Sequence, residues 1–373
     1  MINKNHLRTD LHIFLSAISI LIIVGIIFIY SSSSVYALEK LGSSNYFVKK
    51  QLIGLSLGFI GLLICSLIPL PIIQKLSPYL FLLSLSLTFL TLISIFGRTI
   101  HGSSRWLGFG PFIFQPSELL KLTSILYLSY FLSKKQKVLG SFSNGYIPFF
   151  FIIGITTIVL LKQPDFGTAV TLALTAFTLF FVAHFNIKQM LLTGSISIPL
   201  MCFLILKYPY RLRRVLTFLN PWNDPQGAGF QIIQSLIAIG SGSLWGVGVS
   251  HSKQKFFYLP MLHTDFIFSI IAEETGFIGS CLLISLYIIF LYIGFRIAWQ
   301  LHDHFSQLFT IGFVLLTSLQ AIINISVASG LLPTKGIGLP FVSYGNSSLI
   351  CYLCFVGLII NIVINNKKII SLY

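Results

Sequence analysis

The chain has 373 residues, of which 55% are hydrophobic and 9% charged, with a mean hydropathy of +0.90. Globular proteins carry about 25% charged residues, so a string of soluble domains is excluded and an all-α polytopic membrane protein is expected. The net charge of +15 suits Lys/Arg-rich cytoplasmic loops, anionic headgroups or a polyanionic substrate; scattered among apolar runs, these cations exclude a nucleic-acid-binding domain.

A short basic N-terminus (Lys4, His6, Arg8) leads into an apolar run over 11–30. That run exceeds the roughly 7–15 residues of a signal-peptide core and lacks an Ala-x-Ala site after it, so it reads as a retained first span. Hydropathy, broken at Gly, Pro and charge clusters, predicts ten spans near 11–30, 51–70, 77–96, 114–132, 146–161, 167–184, 189–206, 266–294, 307–330 and 342–364. An even number puts both termini on one side, and the loop cations favour the cytoplasm by a narrow margin. Residues 1–373 then form a single integral membrane domain, with 207–265 as a long structured extracytoplasmic loop between the seventh and eighth spans. The five cysteines all fall inside apolar spans and read as buried free thiols. Cys351 and Cys354 have CxxC spacing but no second pair, which argues against zinc.

The polar residues that this apolar chain keeps are the candidates for function. Between spans three and four, RTIHGSSRWLGFGPF carries Arg98, Arg105 and Trp106 in a Gly-rich loop fit to face a phosphate or sugar; Trp106 equally suits a membrane anchor. Span four opens with QPSELLK, where Gln115, Glu118 and Lys121 recur every three residues and share a face. Glu118 and Lys121 can pair there, and Pro116 with Glu118 also suits a plain helix start. LKQPDFGT offers Asp165 as a helix cap or site member, with Lys162 beside it to neutralise it. The 207–265 segment interleaves aromatics and turn formers with Arg211, Arg213 and Arg214, and predicts a re-entrant or interfacial cap. The last outer loop, GLLPTKGIGLPFVSYGNSS, brings Lys335 and Ser343.

Three of nine acidic residues crowd into KQKFFYLPMLHTDFIFSIIAEETG. His263, Thr264 and Asp265 stand at a helix mouth, with Thr264 as expected N-cap and Asp265 in the first turn. On one continuous helix Glu273 lies about 12 Å deeper and about 80° round from Asp265, and Glu274 faces away at about 180°. Asp265 and Glu273 are therefore expected to share a cavity, while Glu274 pairs with another helix. A carboxylate so placed can take a proton from a hydroxyl nucleophile. The dipole and the nearby cations are expected to keep it ionised at low pH, as a weak base.

The stretches RWLGFGPFIFQPSELLK, QPDFGT, FLNPWNDPQGAGFQIIQSLIAIGSG, KQKFFYLPMLHTDFIFSIIAEETGFIG and LLPTKGIGLPFVSYGNSS resemble the SEDS family (shape, elongation, division, sporulation). Their wording is closer to its cell-division branch. The resemblance implies ten helices, both termini cytoplasmic, in the bacterial plasma membrane. It also implies a peptidoglycan glycosyltransferase that polymerises lipid II at the outer face and releases undecaprenyl pyrophosphate. Asp265 matches the family's essential aspartate, thought to deprotonate the acceptor 4-hydroxyl so that inversion gives a β-1,4 link. Arg105, Lys162 and Arg211 would suit the pyrophosphate. The implied partners are a class B penicillin-binding protein transpeptidase and other division proteins. No cofactor is fixed, and a divalent cation (Mg or Mn) stays open. A lipid II flippase or a non-catalytic division scaffold are the alternatives. Two positions depart from the family: Met261, where Glu is common before His, and Asn346, where Gly is usual.

Overall fold

The computed structural model describes residues 4–93, 97–100, 103–109, 112–184, 186–227, 229–255 and 263–370; Met261 lies outside them, and side chains at the edges of these segments, Arg98 among them, are not described. Twelve α-helices run along the chain, labelled α1 (Lys4–Leu41), α2 (Tyr46–Leu67), α3 (Leu70–Leu90), α4 (Pro116–Lys134), α5 (Ile147–Lys162) and α6 (Phe166–Ala183), then α7 (Ile187–Lys207), α8 (Pro209–Leu219), α9 (Phe230–Ser241), α10 (Ile267–Trp299), α11 (His304–Ala328) and α12 (Asn346–Ile370). Among the described residues, nine helices are long and apolar enough to cross a membrane. The tenth expected span is α4, 19 residues long but diluted by Glu118, Lys121 and Lys134. Its polar groups are tolerated because it runs inside the bundle, packed against α3, α6, α11 and α12 and away from lipid. In α11, the other central helix, 78% of the most apolar stretch is buried.

Close approach of α2 and α12 depends on small residues. A Cβ on Gly58 would stand 2.6 Å from Leu353 Cδ1, one on Gly61 2.5 Å from Cys354 Sγ, and one on Gly357 would strike the Leu62 carbonyl. Small residues are what lets helix backbones come together where lipid provides no hydrophobic drive. At the opposite extreme, α7 is 11% buried over its most apolar stretch and packs mainly on α8.

Three findings differ from the expectations. The Gly-rich stretch before α4 is a three-stranded antiparallel meander, β1 (Gly97–Ile100), β2 (Ser103–Phe109) and β3 (Phe112–Phe114). Its aromatic and β-branched residues favour pleated pairing, which places Arg98 opposite Trp106. Second, the 207–265 segment, expected to be structured, holds two separate helices, of which α9 has the helical apolar spacing of its sequence and α8 adds a further helix. Third, α10 is not one continuous helix: Gly276 at φ 68° and ψ −163° breaks it.

The break is filled by the turn that follows α9. Val247 N and Gly248 N donate to the carbonyls of Glu273 and Glu274 at 3.0 and 3.1 Å. Phe277 N and Ile278 N donate to the carbonyls of Ser243 and Leu244 at 2.9 and 3.3 Å. In an unbroken helix those two N–H groups would bond the two glutamate carbonyls. The turn has stepped between them and satisfied all four groups, as apolar surroundings demand.

Candidate functional site

His263, Thr264 and Asp265 form the turn that enters α10, and each of their carbonyls is held from outside. Tyr344 N donates to His263 O at 2.8 Å, Ser343 Oγ to Thr264 O at 2.5 Å, and Asn324 Nδ2 to Asp265 O at 2.8 Å. The helix N-cap is Phe266, with no side-chain cap bond; Thr264 does not cap, because its turn closes on the 334–345 segment instead.

The Asp265 carboxyl lies on the inner side of that turn. A Cβ on Gly336 would stand 3.3 Å from Asp265 Oδ2, so the glycine leaves the carboxylate room. Burial is the strongest influence on the group and raises its pKa to about 6; Arg105 and Arg214 pull the other way, and Asp165 adds a push upward. The expectation of a permanently ionised weak base is thereby corrected: desolvation outweighs the cations. At neutral pH Asp265 is mostly ionised and still basic enough to take a proton.

Arg105 on β2 reaches across the turn before α6. Its Nε and Nη2 donate to the carbonyls of Gln163 and Pro164 at 3.1 and 2.7 Å, and its Nη1 lies 3.8 Å from Asp165 Oδ2. Asp165 also caps α6, its Oδ1 accepting from Thr168 N at 3.3 Å. Arg105, not the exposed Lys162, is what faces this carboxylate. Arg214 on α8 donates to Thr334 O at 3.1 Å. Lys335 sits 5.2 Å over the Phe166 ring, where burial lowers its pKa. Asp265, Asp165, Arg105, Arg214 and Lys335 thus converge at one mouth of the bundle from five separate elements.

Other predicted site residues are placed elsewhere or are already engaged. Arg211 is 6% exposed, stacked on Phe166, Tyr208 and Tyr210 and bonded to the Tyr210 hydroxyl at 2.8 Å; it braces α8 and is not open to a pyrophosphate. His263 packs on Phe47 at 4.3 Å and Tyr344 at 5.6 Å between ring centroids, and burial lowers its pKa to about 4, so it is a neutral packing ring. Ser343 Oγ, besides its bond to Thr264, accepts from Leu339 N at 2.7 Å. Trp106 is half-buried in β2.

Glu273 is not joined to Asp265. It accepts from Ser252 Oγ and, at 2.9 Å, from Lys253 N, tying the loop after α9 to the first part of α10. Asp265 lies in the turn before the Phe266 cap and not on the helix, and the loop after α9 occupies the Glu273 carboxylate. Glu274 meets α1, accepting from Ser31 Oγ at 2.6 Å.

Within the bundle, Lys121 is 2% exposed and lies 2.9 Å from Glu118. Its Nζ also donates to Gln320 Oε1 at 3.0 Å, which takes a second bond from the Tyr352 hydroxyl at 2.8 Å. Gln320 Nε2 in turn donates to Gly338 O at 3.0 Å. Gln115 starts α4, its N–H on Ser347 Oγ at 3.1 Å. Gln320, Asn324 and Tyr352 were missed because scanning for ionisable groups passes over amides and phenols. Their polar side chains inside spans nine and ten were the available signal, with Gln320 and Asn324 four apart on one face of α11.

No three His, Cys, Asp or Glu side chains converge as a metal site among the described residues. The two carboxylates that do approach each other are faced by arginines, so this arrangement does not fit a resident divalent cation and no step is derived through one.

Fold and site together define a polytopic helical membrane protein with a half-buried carboxylate set near arginines at one end of its bundle. The family model described as "Cell cycle protein" (FtsW, RodA, SpoVE) matches residues 11–368. A relative from Geobacter sp. (strain M18), named "Probable peptidoglycan glycosyltransferase FtsW", is 41% identical over 343 residues, covering 92% of this chain and 94% of its own. "Stage V sporulation protein E" of Bacillus subtilis (strain 168) is 40% identical over 343 residues, with the same coverage of 92% and 94%. A solved structure titled "Structural coordination of polymerization and crosslinking by a peptidoglycan synthase complex" aligns at a TM-score of 0.78 and 30% identity, covering 95% of this chain and 98% of that one. The rod shape determining protein RodA of Thermus thermophilus, 24% identical with a TM-score of 0.68 over 95% of this chain and 96% of its own, shares the fold. The chain belongs to the SEDS family of FtsW, RodA and SpoVE, and within it is most like FtsW.

Proposed function

We propose that the chain is a peptidoglycan glycosyltransferase of cell division that polymerises lipid II, with Asp265 as general base. The observation that carries this is the placement of Asp265: a half-buried carboxylate, its pKa raised to about 6, in a turn whose carbonyls are all held, with arginines on the same mouth. Asp265 takes the proton of the acceptor sugar 4-hydroxyl as that oxygen attacks the donor's anomeric carbon. The anomeric C–O bond to pyrophosphate breaks, undecaprenyl pyrophosphate leaves with the bonding pair, and the configuration inverts to a β-1,4 link. The proton ends on the Asp265 carboxyl. Arg214, Lys335 and the exposed Lys162 are the cations suited to the departing pyrophosphate, with Arg105 turned mainly to Asp165.

The relatives named as peptidoglycan glycosyltransferases support this reading, and the synthase-complex neighbour supports a transpeptidase partner of the class B penicillin-binding type. Residues 1–373 act as a single integral domain in the bacterial plasma membrane. Both termini are cytoplasmic, with the 207–265 segment and the Asp265 site on the outer face. The transport alternative draws on Gln115, Glu118, Lys121 and Glu273, all of them already engaged by neighbours, and has no observation of its own. The deciding experiment supplies lipid II to the purified chain and its partner, wild type against Asp265→Ala. Glycan synthesis should fall by roughly 10²–10⁴, the usual contribution of a general base. Strands made equally well by the variant would remove Asp265 from the reaction.

A further inference from the structure

The bonds that hold the 263–265 turn converge on one side chain. Tyr344 N and Ser343 Oγ, which secure His263 and Thr264, belong to the segment between α11 and α12. The third donor, Asn324 Nδ2, comes from α11 and serves two masters: Asp265 O at 2.8 Å and Ile337 O at 2.7 Å. Asn324 is 2% exposed, and its orientation is fixed, because only an amide N–H can face two carbonyls. That orientation leaves its Oδ1 buried with no hydrogen-bond partner. A buried acceptor left unpaired is unfavourable, so the residue is there for what its two N–H groups do.

We propose that Asn324 is a positioning residue for Asp265, pinning the turn that carries the carboxylate to the segment that carries Lys335 and Gly336 so that the two move as one body. Its bonds go to backbone carbonyls, so it acts through Asp265 and not on substrate. A free turn would let the carboxyl swing away from the Gly336 recess and toward water. The charged groups around that carboxyl are Arg105 of β2, Asp165 at the start of α6 and Arg214 of α8. Lys335 stands on the pinned segment and the neutral His263 within the turn itself. The inference rests on Asp265 being the base of the proposed reaction.

The test uses the full chain with its transpeptidase partner in lipid nanodiscs, comparing wild type, Asn324→Leu, Asn324→Asp and Thr317→Val. Leucine keeps the branched outline of Asn324, at a larger volume, and removes both donors; aspartate keeps its size and leaves at most the single O–H of its protonated form. Thr317 is a fully buried α11 residue whose hydroxyl bonds only its own helix, at Phe313 O, and reports generic damage to α11. Both Asn324 variants should lose about tenfold or more in kcat, about 1.4 kcal/mol of transition-state stabilisation or more, with KM for lipid II nearly unchanged; Thr317→Val should keep its kcat. A second readout does not need turnover: the Asp265 carboxyl is titrated by ¹³C NMR in aspartate-labelled protein, assigned by its loss in Asp265→Asn. In Asn324→Leu its midpoint should drop toward that of an ordinary aspartate, because the loosened turn admits water.

Unchanged kcat and midpoint in Asn324→Leu, or an equal loss in Thr317→Val, overturns the proposal. If Asn324→Leu fails to fold, Ser343→Ala, which cuts the neighbouring tie at Thr264, is read by the same two measurements with the same expected and overturning results. A wild type that makes no glycan with its partner overturns the polymerase reading instead, and the NMR midpoint still decides whether Asn324 pins the turn.

Discussion

Asp265 stands between influences of opposite sign, and each can be removed separately. Arg105 lowers its pKa and Asp165 raises it, against a burial effect larger than either. The acid limb of glycan synthesis should therefore sit near pH 6 in wild type. Arg105→Gln should move that limb to higher pH and Asp165→Asn to lower pH, as read from kcat against pH; shifts of the same sign would refute the arrangement. His263, lowered to about 4 by burial, stays neutral over this range, so a single acid limb is expected. The same carboxyl weighs on stability. Its folded pKa lies above the ordinary 3.8, so the folded state holds its proton more tightly than the unfolded chain does. Stability from this group is full below about pH 4 and is lost as pH rises to about 6. At 1.36 kcal/mol per pH unit the loss is of order 3 kcal/mol. Asp265→Asn should raise the melting temperature at pH 7.5 and leave it nearly unchanged at pH 4, a stability gained as activity is lost.

At the scale of elements, the break in α10 is where the turn after α9 locks into the helix. Gly276 is at φ 68°, and a Cβ there would strike Gly246 N and stand 2.6 Å from Leu244 O. Strain at positive φ alone costs about 1–3 kcal/mol, and the clash adds to it. Gly276→Ala should thus greatly reduce the yield of monodisperse protein and its melting temperature, measured by fluorescence size-exclusion; a well-behaved variant would show that the inserted turn can be displaced at little cost. The central polar set makes a second prediction. Lys121→Met leaves Glu118 with no cation beside it, and breaking one side of a buried ion pair costs about 3–5 kcal/mol. Lys121→Met with Glu118→Gln should recover much of that loss in a thermal melt. None of the break was legible in the sequence. Helical spacing carried straight through TGFIG, because the groups that open the helix come from residues 243–248, some thirty positions earlier; it put Glu273 in the cavity of Asp265 for another reason, that Asp265 sits in the turn before the helix and not on it. A local pattern cannot report a partner that distant. The meander of β1–β3 was hidden for a different reason: glycines interrupt its alternation, and it reads as a loop.

For the whole molecule, the long apolar runs made the architecture legible. Nine of the expected spans appear among the described residues as helices fit to cross a membrane, and the tenth, α4, fails only on composition. Its Glu118 and Lys121 raise its polarity and also explain its place, since ionisable groups are sheltered in the middle of a bundle. With ten crossing helices, tags at residues 1 and 373 should be reached by a membrane-impermeant label from the same side, and a cysteine at Trp245 in the loop after α9 from the other. Labelling of all three from one side would refute the topology. The site was partly legible. Asp265 stood out because acids are so few, and Asp165 and Arg105 because they break apolar runs. Arg214 was one basic residue among several, and what separates it from Arg211 is three-dimensional: Arg211 is walled in by aromatic rings.

The turn at 243–248 also sets an order of events. It leaves the ribosome before 273–278 does, so its two N–H and two carbonyl groups must wait for a helix that has not yet been made. Chains are built and fold from the N-terminal end, yet this junction joins an earlier piece to a later one. This end of the bundle is therefore closed late, after α10 has been made, and until then the stretch that will carry Asp265 has no fixed surroundings. A nascent chain halted within α10 should be cut by protease at 243–255, while in the finished protein the same stretch, exposed but with its backbone tied to 273–278, should resist cleavage.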